Sequence, residues 1–119
     1  MSTIHGLLAN TVMLFMAVAG VWGLVSYARR RGVDGGYWGI LVIGELLVLA
    51  QGVLGTVLLI GGEQPGRGVH IVYGFVAVLT LPAFYGFTHG RDDRRAALMY
   101  GLLCLFLAAI AWRAATTGV

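Results

Sequence analysis

The chain contains no lysine, one cysteine, two prolines and very little charge: of its 119 residues, eight are arginine and five are aspartate or glutamate, 11% in all. A soluble domain carries about 25% charged residues, so a water-facing globule of this size is excluded. Disorder is excluded as well, because unfolded segments are poor in apolar residues and rich in charge, whereas 59% of this chain is apolar and its mean hydropathy is +0.87. A lone Cys104 inside an apolar run supports neither a disulfide framework nor a cysteine-based metal site. Without lysine, arginine carries all the positive charge, and the net charge is +3. The arginines stand at the ends of apolar runs, where they orient a protein in a bilayer. A lipid bilayer is therefore the expected partner, and nucleic acid is not.

Long apolar runs and 19 glycines are what the chain does have. Glycine is common in membrane helices and lets their backbones approach closely. A spanning helix needs roughly 20 residues, so this length admits at most four spans and leaves no separate soluble domain. The runs place them at about 4–28, 37–60, 69–87 and 96–112, the fourth being the shortest. No positive charge precedes the first run, and it is longer than the apolar core of a secretory signal, so it reads as a retained helix. Gly32 to Gly36 and Gly61 to Gly68 read as turns by composition. His89 to Arg95 reads as a solvated, mixed-charge loop, and Pro82 as a kink in the third span.

Arg29, Arg30 and Arg31 follow the first span and Arg91, Arg94 and Arg95 follow the third, while the opposite side has only Arg67 and Arg113. The positive-inside rule then puts the N-terminus and the C-terminus on the non-cytoplasmic side. Short connections make sequential helices antiparallel neighbours. The expected fold is all-α: a single domain, residues 1–119, forming an integral antiparallel four-helix bundle, multi-pass in the cytoplasmic membrane.

His5 opens span one and His70 is the second residue of span three, so both imidazoles lie at one depth on the outer side, on helices that are diagonal or adjacent. Bundle cofactors are held by side chains from facing helices, and a haem clamped between two histidines needs this match of depth. His89, at the cytoplasmic end, is too far away to join them. Gly6 follows His5, and Gly74 lies one turn after His70, where a missing side chain leaves room for a flat macrocycle. Arg67 and Arg113 stand on the same side, and a guanidinium suits a propionate carboxylate through its paired donors. The plainer alternatives are interfacial histidines without a ligand, glycines that only pack helices, and snorkelling arginines.

The histidine spacing, the stretch QGVLGT from Gln51 to Thr56, and LLIGGEQPGRGVH ending at His70 resemble one half of the haem A synthase family. Members of that family pair two four-helix bundles, each with two such histidines. The resemblance covers essentially the whole chain. It implies a b-type haem with His5 and His70 as axial, metal-binding ligands, and Gln51 and Gly55 on the inner face below the cofactor. The family's catalytic bundle has an acidic residue shortly before its first histidine, and often a cysteine pair in an outer loop. Here only Met1, Ser2, Thr3 and Ile4 precede His5, and no outer loop contains cysteine. The likeness is therefore to the haem-carrying bundle, and synthase activity is left open.

Glu45 stands in the middle of span two, where lipid disfavours a charge and an ionisable residue marks a candidate functional position. Asn10, Thr11, Gln51 and Thr80 read as hydrogen-bonding glue between helices. Met13, Phe15 and Met16 read as packing or lipid-facing residues. No catalytic triad, phosphate-cradling motif or zinc spacing occurs. The leading expectation is a small haem protein for electron transfer or haem handling, within a larger respiratory or photosynthetic complex or a homo-oligomer. The alternatives are a cofactor-free accessory subunit of such a complex and, lower, a small proton-coupled transporter using Glu45.

Overall fold

The computed structural model describes residues 2–62 and 69–117. Four helices make up nearly all of that: α1 (Ser2–Ala28), α2 (Gly35–Ile60), α3 (Val69–Phe87) and α4 (Arg94–Thr117). Each is long and apolar enough to cross a membrane, and at 1.5 Å per residue the 26 residues of α2 reach about 39 Å. Large apolar side chains such as Leu14, Val18, Val53, Phe75 and Leu79 cover the outer surface, as lipid surroundings require.

Aspartates decide where two of the helices begin. Asp34 caps α2, its Oδ1 accepting from the Tyr37 backbone N–H at 2.8 Å, and Asp93 does the same for α4 through the Ala96 N–H at 2.9 Å. Each cap satisfies a donor that has no partner inside its own helix. Arg94 and Arg95 are consequently in the first turn of α4, not in the loop that their charge suggests. With 24 residues α4 is also longer than α3, which has 19, because Arg113 does not interrupt a helix even where it ends an apolar run. Helix α3 runs through Pro82.

The C-terminal ends of α1 and α3 close in one way. The Arg31 N–H donates to Ser26 O and the Arg30 N–H to Tyr27 O; the Gly90 N–H donates to Tyr85 O and the His89 N–H to Gly86 O. Arg30 and His89 thereby take left-handed backbone angles, with φ of 59° and 54°. The two loops meet where the Val33 N–H donates to Asp92 O at 2.8 Å.

Helix α1 packs on α4 and α2, α3 packs on α4 and α2, and among the described residues the backbones of α1 and α3 do not approach each other closely. The first and third helices are therefore diagonal. The closest seam is α1 against α4, where Gly20 and Gly23 face Ala97 and Gly101. Small residues let two backbones come together, and a Cβ added at Gly101 would stand 2.9 Å from Gly20 O and 3.0 Å from Leu24 N. Tyr37 ties α2 to this seam by donating its hydroxyl to Ala19 O at 2.9 Å. Arg94 spans it with its Nε on Tyr27 O at 2.8 Å and its guanidinium 4.0 Å from the Tyr27 ring centroid.

Thr11 and Thr80 do not join helices as their polarity suggests. Their hydroxyls donate to the carbonyls of Leu7 (3.4 Å) and Val76 (2.6 Å), one turn back in the same helix. A short hydroxyl reaches its own backbone more readily than a neighbouring helix.

Candidate functional site

The two histidines come together. His5, in the first turns of α1, and His70, at the start of α3, bring their ring centroids to 6.2 Å with the planes at 74°. Their helices are diagonal, with backbones that do not approach each other closely among the described residues, so the side chains bridge the interior at one end of the molecule.

His70 is held by a backbone group. Its Nδ1 lies 2.7 Å from Ala114 O, and since a carbonyl only accepts, Nδ1 carries the proton. Ala114 belongs to the last turn of α4. The bond fixes the tautomer of His70, leaving the Nε2 lone pair for a ligand. No pattern in side chains could have marked this partner, because any residue at position 114 supplies the same oxygen.

His5 rests against α2. A Cβ on Gly55 would be 3.5 Å from its Cε1 and 4.0 Å from its Nε2, so the glycine seats the imidazole directly. Gln51, one turn earlier on α2, stands beside the same ring. Around added Cβ atoms at Gly6 and Gly74 there is nothing within 4 Å, and both glycines are exposed. Arg113 is exposed and directly precedes Ala114. The expectation for Arg67 falls outside the described residues.

Packing differs sharply between the two ends. The fully buried residues are Val12, Met16, Ala19, Val33, Tyr37, Leu41, Val48, Leu81, Ala96, Ala97, Tyr100, Cys104 and Leu107, together with Gly20, Gly23, Gly44 and Gly101. Among the described residues, none of 3–11, 49–60, 70–80 or 108–114 is fully buried. The half that holds the histidines is therefore loosely filled. At the opposite end Trp38, Tyr85, Phe84 and Tyr100 form edge-on aromatic pairs with centroids 4.8 to 5.6 Å apart.

Glu45 is half-buried on α2, and its Oε1 is enclosed with no hydrogen-bond partner among the described residues. Asn10 is exposed. Among the described residues no group of three or more His, Cys, Asp or Glu side chains could hold a metal, so the donor set at the site is the pair of imidazoles. Compared with known proteins, the chain matches no family model, no curated protein and no solved structure.

Proposed function

We propose that this chain is a small integral membrane protein that binds one b-type haem between His5 and His70 and serves electron transfer or haem handling. The observation that carries the reading is the pair itself: two imidazoles from diagonal helices, one with its Nδ1 proton committed to Ala114 O. Their ring centroids stand 6.2 Å apart, so the two residues could hold one metal between them. A carbonyl on the far ring nitrogen is the usual support of a metal-binding histidine, and two protein donors suit a metal whose other positions a macrocycle fills. Bound there, the haem would supply reversible one-electron exchange.

The reading includes an orientation. Tyr27 and then Gly20 of α1 meet Arg94 and then Leu105 of α4, and His70 at the start of α3 meets Ala114 near the end of α4, pairings that support an antiparallel bundle. Six arginines at the ends joining α1 to α2 and α3 to α4 put those ends in the cytoplasm and the histidines near the opposite surface of the cell membrane. Helix α3, with Leu81 alone fully buried among its described residues, is the flank that would meet other subunits of a respiratory or photosynthetic complex, or a second copy.

Purified protein given haemin in detergent is expected to show a Soret band, a six-coordinate low-spin spectrum and a pyridine haemochrome of protohaem. His5→Ala and His70→Ala should each abolish the low-spin signature. Failure of the wild-type protein to take up haemin, or a spectrum unchanged in His70→Ala, overturns the proposal.

A further inference from the structure

Two buried polar atoms beside the site have no hydrogen-bond partner among the described residues: Nδ1 of His5 and Oε1 of Gln51. The side chains that carry them are neighbours. Their chemistry is complementary, because a neutral imidazole can donate from Nδ1 and an amide oxygen only accepts. Their placement on α2 agrees. Gln51 and Gly55 are four residues apart and share a helix face; Gly55 meets the Cε1 and Nε2 edge of the ring, which leaves Nδ1 for Gln51. His70 already has such an anchor in Ala114 O, and among the described residues no backbone group bonds Nδ1 of His5.

We infer that Gln51 is a positioning residue whose amide oxygen accepts the Nδ1 proton of His5 and so holds His5 in the tautomer with a free Nε2. A small rotation of the Gln51 amide completes the bond. Both imidazoles of the pair then carry their proton on Nδ1 and present Nε2, one steered by a backbone carbonyl and the other by a side chain. The hydrogen bond stands on the geometry of the chain alone; its consequence for haem rests on the function proposed above.

Nitrogen-15 spectra of the histidine rings, recorded on the full chain in micelles without haem, test the bond directly, with His5→Ala giving the assignment. His5 is expected as the Nδ1–H tautomer in the wild type, as a mixture in Gln51→Leu, and as Nδ1–H again in Gln51→Glu. The unchanged His70 signal in each variant shows that the fold is retained. An Nε2–H tautomer in the wild type, or a His5 signal indifferent to Gln51→Leu, overturns the inference. With haemin added, Gln51→Leu should bind roughly 10- to 100-fold more weakly and shift to a higher midpoint potential, because the axial ligand becomes less basic. Gln51→Glu should shift it lower than the wild type. Equal affinity and potential in all three proteins also overturns the inference while leaving the haem reading intact. If the wild type takes up no haemin the haem reading fails, and the nitrogen-15 spectra still decide the bond.

Discussion

The imidazole of His5 has its place because α2 offers it a glycine, and that contact sets a size limit. One methyl at position 55 would sit in ordinary contact with the ring, at 3.5 Å from Cε1; a branched side chain would push the ring away from His70. Gly55→Ala is therefore expected to retain the low-spin haem spectrum and Gly55→Leu to lose it, a comparison read by optical titration with haemin. Equal binding by both variants would remove Gly55 from the site. A second residue carries strain that a glycine relieves. His89 ends α3 with φ of 54°, a left-handed angle that costs an L-residue roughly 1–2 kcal/mol, partly offset by the greater entropy that glycine loses on folding. His89→Gly should stabilise the protein by about 0.5–1 kcal/mol, measured as a higher denaturant midpoint in micelles. His89 takes no part in the pair, so the haem spectrum should not change.

Between helices, the molecule depends most on the α1–α4 seam. At Gly101 a Cβ would approach Gly20 O to 2.9 Å and Leu24 N to 3.0 Å, so even alanine forces two backbones apart. Overpacking of this kind typically costs 1–3 kcal/mol; about that loss is expected for Gly101→Ala in a denaturant titration. Gly74→Ala is the matched control. Nothing lies within 4 Å of its added Cβ, and a gain of about 0.5–1 kcal/mol is expected from the backbone entropy of a helical glycine. Hydropathy could not distinguish these two glycines, since each stands in an apolar run. It did mark the helices: the apolar runs 37–60 and 96–112 begin two residues after α2 and α4 do, and the difference is the reach of the Asp34 and Asp93 caps. The end of α4 escaped the same reading, because hydropathy reports lipid contact and the helix continues to Thr117 by backbone bonding. Of the site, depth matching brought out His5 and His70, and the resemblance brought out Gln51 and Gly55. The bond to Ala114 O and the choice of diagonal over adjacent helices depend on packing, which has no local signature.

At the scale of the whole chain, the filling of the two ends and the distribution of charge are graded in the same direction along one axis. The well-packed end, with Tyr37, Tyr100 and the Gly23–Gly101 contact, is also the end where Arg29, Arg30, Arg31, Arg91, Arg94 and Arg95 stand. The loosely filled end has the histidine pair. If six arginines hold the first end in the cytoplasm, the proposed haem site faces the other compartment, and an electron donor or acceptor in water would approach from there. Cysteine labelling can decide this, since Cys104 is fully buried and free and its replacement by alanine removes the remaining thiol. In a Cys104→Ala background, Ser2→Cys should react with a membrane-impermeant maleimide on intact cells, and His89→Cys only after the cells are opened. The reverse pattern would place the histidines on the cytoplasmic side, and a soluble redox partner would then have to be sought in the cytoplasm.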